Sequence, residues 1–297
     1  LIILSLIIAA IKEGRIDPSK LTYINMDDNS SGLVEKVRLA DEYGFHMVAD
    51  GHQGFEAKEF RAAMEKMIEA NSVNGTIVVL DTLKKFVNTM DKGKSSNFAK
   101  VVRQFVLKGG TVIALAHANK NPGPDGKIVY SGTTDIVDDF DCAYTLAALP
   151  SQPDASEKVV EFENIKRRGN VTSTAAYAYS LERNISYEEL LLTVREVEPE
   201  QIGPIRLAAS LVADSVVIAA IEACIKDGIN TKMKLVEAAG KSADVSQRDA
   251  LKVIEKYSGS DPATHRWTFE VHERGAKVYT LLERPSTHSG ISPVTTP

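Results

Sequence analysis

Two periods of apolar and polar positions alternate along the first two thirds of the chain. Leu21–Asn25 is a short apolar run followed by Asp27-Asp28, and Ser31–Tyr43 then places Leu33, Val37 and Ala40 at helical spacing. Phe45–Ala49 predicts a second strand, and Glu56–Ala70 a helix carrying Phe60, Ala63, Met64 and Met67. Thr76–Leu80 is apolar almost throughout, as in strands buried on both faces of a parallel sheet. Phe98–Leu107 predicts a helix closed by Gly109-Gly110, and Thr111–Ala116 another buried strand. Residues 143–181 then predict three strands with no helix between them. The alternation predicts an α/β domain over 1–198: a mostly parallel sheet flanked by helices, with an antiparallel extension.

Acidic residues and two prolines break this pattern, and 199–204 reads as a linker. A compact unit follows over 205–284. Ile205–Lys226 predicts one long helix, and Thr231–Ala239 and Ser246–Tyr257 shorter ones, the last with Ser246 as its N-cap. Trp267, Phe269 and Val271 alternate, Glu273–Gly275 turns, and Val278, Thr280 and Leu282 alternate again, which predicts a hairpin. Three helices and a terminal hairpin are the order of a winged helix-turn-helix domain. Residues 285–297 carry no acidic or basic side chain except His288 and predict a disordered tail.

The opening run Leu1–Ile11 is apolar but about half the length of a bilayer span. No basic stretch precedes it and no small-residue cleavage site follows, so neither a signal peptide nor a membrane partner is predicted. It reads as the second half of a buried helix that begins upstream.

Composition narrows the classes. With 297 residues, 43% hydrophobic and 25% charged, the chain can bury a core, which excludes a disordered tail, a fibre or a disulfide scaffold. Cys142 and Cys224 are too few and too far apart for a zinc knuckle, and a reducing cytoplasm is the expected compartment. The net charge of −5 conceals a near-neutral C-terminal unit, where 12 Lys and Arg face 11 Asp and Glu. Any nucleic-acid site must therefore be local.

The candidate chemistry gathers at strand ends, where open α/β sheets place their ligands. An apolar strand ending in Asp81, as in TIVVLD, suits a Mg²⁺ site; an Asp there equally serves as a cap or turn residue. Asp27 could orient an attacking water, whereas Asp28, Asn29 and Ser30 would equally well start the next helix. His117 ends TVIALAH and could hydrogen-bond a terminal phosphate, or be structural. In NIKRRG (164–169), Lys166 and Arg168 share a face by period two; they form a solvated edge or an arginine finger reaching a neighbouring subunit. Two polar loops, 88–97 and 120–130, also follow strand ends.

Taken in order, YINMDD (23–28), TIVVLDT (76–82), ALAHANK (114–120), SGTTDIVDDFDCAYTL (131–146) and IKRRG (165–169) resemble the RecA-fold ATPases. Within them the chain is similar to the RepA-like and DnaB-like hexameric replicative helicases, over Leu1 to about Leu181. The resemblance implies ATP and Mg²⁺ as cofactors, with Asp81 holding the metal and Thr82 beside it at the nucleotide. It implies that Asp27 positions water and that His117 senses the γ-phosphate. It makes Arg168, or else Arg167, the finger acting in trans, with Lys166 beside it. It also implies a hexameric ring around single-stranded DNA, touched by Lys92, Lys94, Lys120 and Lys127.

Two departures stand out. No G-x-x-x-x-G-K-[ST] occurs in the 297 residues, and the expectation is that this loop lies upstream of Leu1. The general-base position, usually Glu, is Asp27. The C-terminal unit resembles winged-helix domains. Its recognition helix would expose Gln247, Arg248, Lys252 and Lys256, and its wing Arg266, Arg274 and Lys277, toward duplex DNA; many winged helices contact protein instead. The expected function is ATP-dependent translocation on DNA in replication of a plasmid, phage or mobile element. The alternatives are a non-catalytic DNA-binding regulator and a filament-forming, recombination-type ATPase.

Overall fold

The structure is a computed structural model that describes residues 1–51, 54–87, 91–119, 134–151, 154–272 and 275–283. The chain divides into two compact units, one of Leu1–Leu149 with Asp154–Ile202, the other built on the residues from Gly203 onward. The expected sites Lys120, Lys127 and Arg274 and the tail at 285–297 lie outside the described residues.

The first unit is mixed α/β. Strands β1 (Leu21–Asn25), β2 (His46–Ala49), β3 (Ile77–Asp81) and β4 (Thr111–Leu115) form an all-parallel sheet in the order β2-β1-β3-β4. Register places Asn25 opposite Ala49 and Asp81, and Asp81 opposite Leu115, so four C-terminal ends share one edge. Helices α1 (Ile2–Lys12) and α2 (Ser30–Tyr43) bury Leu4, Ile7, Ile8, Leu39 and Ala40 against Leu21, Tyr23 and Val79. Helices α3 (Phe60–Glu69) and α4 (Lys92–Leu107) bury Phe60, Met64, Phe98 and Phe105 against Ile24, Val78 and Leu80. Alternation along β3 sends Val79 to one layer and Val78 and Leu80 to the other, which is why this strand reads as continuously apolar. Gly110, just after α4, has room for no side chain, because a Cβ there would lie 2.2 Å from the Phe105 ring.

The expected antiparallel extension is instead a separate sheet. After α5 (Thr134–Asp139), strands β5 (Cys142–Ala148), β6 (Glu157–Arg167), β7 (Thr174–Ser180) and β8 (Arg195–Glu196) pair in sequence order. Among the described residues none of them pairs with the parallel sheet. Adjacent antiparallel strands satisfy one another's backbone groups, while the long segment carrying α5 separates β4 from β5. Two elements were not expected: β8, and α6 (Tyr187–Leu192), which Ser186 and Glu189 start as a capping box.

In the second unit the predicted long helix is broken. Helix α7 (Pro199–Ala213) begins where a linker was expected and contains Pro204, and α8 (Ser215–Lys226) departs from it by 67°. Asp214 marks the break. Its carboxylate accepts hydrogen bonds from Lys256 Nζ at 2.7 Å and from the Tyr257 hydroxyl at 2.8 Å, a tertiary demand that helical spacing cannot reveal. Helices α9 (Lys232–Ser242) and α10 (Gln247–Lys256) and the hairpin β9 (Trp267–Val271) and β10 (Lys277–Leu281) complete the unit. Ser246 caps α10 by accepting from Asp249 N, as expected. Thr231 forms an isolated antiparallel bridge with Val278. Among the described residues no single helix is long and apolar enough to cross a membrane.

Trp267, the chain's one tryptophan, is fully buried and donates from Nε1 to the Ile254 carbonyl at 2.9 Å. Its fluorescence therefore reports the second unit. Leu235 is fully buried in the same core, and Leu235→Ala should lower the fluorescence-detected stability by about 2–5 kcal/mol in urea titration.

Candidate functional site

The site is built by the C-terminal ends of β1, β3 and β4. Asp81 ends the central strand β3, and its Oδ2 accepts from the Tyr23 hydroxyl at 2.7 Å. Burial, reinforced by Asp81, pushes the Tyr23 hydroxyl far above its ordinary pKa, so it is a fixed donor. Thr82 is 3% exposed and its hydroxyl donates to the Leu115 carbonyl at 2.9 Å, tying the β3 tip to β4.

The two acids after β1 part company. Asn29 caps α2 by accepting from Gly32 N, so neither aspartate is needed as the cap. Asn25 Oδ1 instead accepts from the backbone N–H groups of Asp27 and Asp28, folding the turn. Asp28 turns inward. It accepts from Asn25 Nδ2 at 2.6 Å and pairs with Lys36 Nζ at 2.5 Å, and the Lys36 side chain is only 11% exposed. Burial would raise the Asp28 carboxyl, but the bonds from Lys36 and Asn25 outweigh it and hold the pKa below its ordinary value. Asp27 turns outward and meets His117 Nε2 at 3.3 Å. Strands β1 and β4 are not neighbours; β3 lies between them. The Asp27–His117 pair therefore spans the tip of β3.

Helices complete the surroundings. Helix α6 brings the Tyr187 ring under Lys36, with 5.7 Å from Nζ to the centroid. It is tied to α2 by Arg38–Glu188 at 2.6 Å and to α1 by the Ser5 hydroxyl on the Leu191 carbonyl at 3.0 Å. A cavity of about 430 Å³ lies elsewhere: Lys20, Thr22, Asn74 and Thr76 line it at the start of β1 and β3.

Lys166 and Arg168 lie away from these carboxylates, at the end of β6. Both engage the C-terminal end of α5, Lys166 Nζ on the Asp138 carbonyl and Arg168 Nη2 on the same oxygen at 3.0 Å. The expected loop at 88–97 is helical from Lys92 on, with Asp91 as its cap accepting from Lys94 N. In the second unit, Gln247 and Arg248 are exposed in the first turn of α10, while Lys252 pairs with Asp249 at 3.0 Å and Lys256 with Asp214.

The residues brought together at one edge are thus Asp27, Asp81, Thr82 and His117. Tyr23, Asn25, Asp28, Lys36 and Tyr187 join them without having been singled out as site residues. For Tyr23 a signal existed, since its period-two partner Asn25 also faces the strand tip. For Lys36 and Tyr187 none did, because only packing of α2 and α6 brings them in.

Among the described residues no three His, Cys, Asp or Glu side chains form a metal-holding group. A Mg²⁺ held by one carboxylate with phosphate and water oxygens needs no such group, and the Asp81 carboxylate at the β3 tip fits that arrangement. No family model and no curated protein matches the chain.

The Asp28 carboxylate contributes stability that is present above the ordinary carboxylate range and is lost as pH falls through its depressed pKa. Lys36→Met should raise the Asp28 pKa, followed by NMR, and flatten the acid limb of the stability–pH curve. An unchanged Asp28 titration would mean that Lys36 does not set it.

Proposed function

We propose that the chain is the core of a RecA-fold ATPase of the RepA-like, DnaB-like helicase type, joined to a winged-helix domain, and that it couples ATP hydrolysis to movement on DNA. The observation that most supports this is the convergence of Asp81, Asp27 and His117 at one edge of a parallel sheet. Replication of a plasmid, phage or mobile element is the setting that the resemblance gives.

In this reading Asp81 faces the nucleotide and is the protein ligand of Mg²⁺, while Thr82, expected beside it at the nucleotide, instead ties the β3 tip to β4. When bound, the metal supplies neutralising charge beside the β- and γ-phosphates. Asp27 orients the attacking water and accepts its proton. His117 exchanges its bond to Asp27 for one to the γ-phosphate, which frees the carboxylate when ATP is in place. Arg168, with Lys166 beside it, acts in a neighbouring subunit of a hexameric ring. Lys92 and Lys94 at the start of α4, with Lys120 and Lys127, contact single-stranded DNA in the channel. In the second unit, helices α8, α9 and α10, the β9–β10 hairpin and the Thr231–Val278 bridge support the winged-helix reading. Gln247, Arg248 and Lys252 of α10, with Arg274 in the wing, would meet duplex DNA.

The decisive measurement is ATP hydrolysis by the full-length gene product, including whatever precedes Leu1, with and without single-stranded DNA. Asp81→Ala should reduce Mg²⁺-dependent turnover by about a hundredfold or more, since charge stabilisation by the metal is worth several kcal/mol. Turnover retained in Asp81→Ala would refute its metal role. Absence of hydrolysis with DNA binding intact would identify a regulator.

A second expectation separates the ring from independent subunits. Arg168→Ala should be inactive alone and regain turnover when mixed with Asp81→Ala subunits, because each supplies what the other lacks. Failure of mixed oligomers to recover activity would argue against action in trans.

A further inference from the structure

Arg168 does not stand alone at the end of β6. Asp141, immediately before β5, takes two guanidiniums on one oxygen: Arg103 Nη1 of α4 on Oδ1 at 2.6 Å, and Arg168 Nη1 on the same Oδ1 at 3.2 Å. The backbone closes the corner, with Arg168 N donating to the Asp141 carbonyl at 2.7 Å. The Arg103 guanidinium, with Arg168 behind it, holds the Asp141 carboxyl below its ordinary pKa.

Arg103, Asp141 and Arg168 are 43%, 47% and 48% exposed. Exposed pairs of this kind contribute at most about 1 kcal/mol to stability. What the arrangement does supply is a link, because one carboxylate oxygen joins the middle of α4 to the tip of β6. Helix α4 starts at Lys92, and a rigid helix transmits a displacement of its first turn along the roughly 16 Å to Arg103. The shared oxygen also couples the two bonds, since an Arg103 that moves with α4 carries the carboxylate with it and alters the hold on Arg168.

We propose that Asp141 is a positioning residue that couples single-stranded DNA at the start of α4 to the aim of Arg168. DNA bound at Lys94 in the first turn shifts α4, Arg103 carries the Asp141 carboxylate with it, and Arg168 is released toward the neighbouring subunit's nucleotide. The inference rests on the ATPase reading given above. By thermodynamic reciprocity, nucleotide that captures Arg168 strengthens the grip on DNA.

The test uses the full-length gene product and oligothymidylate as the DNA probe. Turnover with and without DNA is measured for the unaltered protein, Asp141→Asn, Arg103→Gln and the double variant, alongside the thermal midpoint. Glu13→Gln, which breaks the unrelated exposed pair with Arg15, serves as the control. The expected result is a fall in the stimulated-to-basal ratio of about fivefold or more in each single variant. The double variant should lose no more than either single one, with midpoints within a few degrees of the control. An unchanged ratio in either single variant, or additive losses in the double, would overturn the coupling while leaving the ATPase reading intact. Absence of DNA-stimulated turnover in the unaltered protein would overturn both.

Discussion

Parallel pairing of β1 with β3 and of β3 with β4 is the constraint on which the candidate site depends. In a parallel sheet every strand delivers its C-terminal end to the same edge, and residues far apart in the chain arrive there together. Register puts Asn25, Asp81 and Leu115 in one row, so the segments just beyond them must carry Asp27, Thr82 and His117 to adjacent positions. The sheet holds that row because both of its faces are covered, by α1 and α2 on one side and α3 and α4 on the other. Loss of either layer would expose a sheet with no polar face to offer water.

The charges at this edge are arranged in two tiers. Asp28 and Lys36 are fixed: the lysine side chain is 11% exposed and packs over Tyr187, and the carboxylate also holds Asn25. Asp27 and His117 are looser, about half-exposed and paired at 3.3 Å. Their bond can be exchanged for one to a ligand at little cost. The doubly bonded pair sets geometry and the looser pair is available for chemistry.

Much of this was legible in the sequence. Apolar runs located β1, β3 and β4 nearly to the residue; β3 is buried on both faces as its run implies, whereas β4, also expected to be buried, is a half-exposed edge strand. The cap at Ser246 was equally readable. The start of α4 was not, since Lys92–Asn97 is polar on every face and only the Asp91 cap marks it. The break between α7 and α8 depends on bonds from Lys256 and Tyr257 to Asp214, 42 and 43 residues away. Periodicity sees neighbours three and four apart and is blind to such a demand. The same limit hid Lys36 and Tyr187, whose place in the site follows from helix packing rather than from any motif.

The cations at the end of β6 make a different kind of case. Spacing alone put Lys166 and Arg168 on one face, and the structure has both at the C-terminal end of α5, where backbone carbonyls and the helix dipole attract positive charge. A six-residue helix has little stability of its own, and two cations on its last turn help to hold it. Any role for Arg168 outside its own subunit therefore requires α5 to give it up. That exchange is affordable only where the competing acceptor is a polyphosphate, whose charge exceeds that of one carbonyl and half a shared carboxylate. The local geometry thus favours an anion-triggered release over a permanently extended side chain.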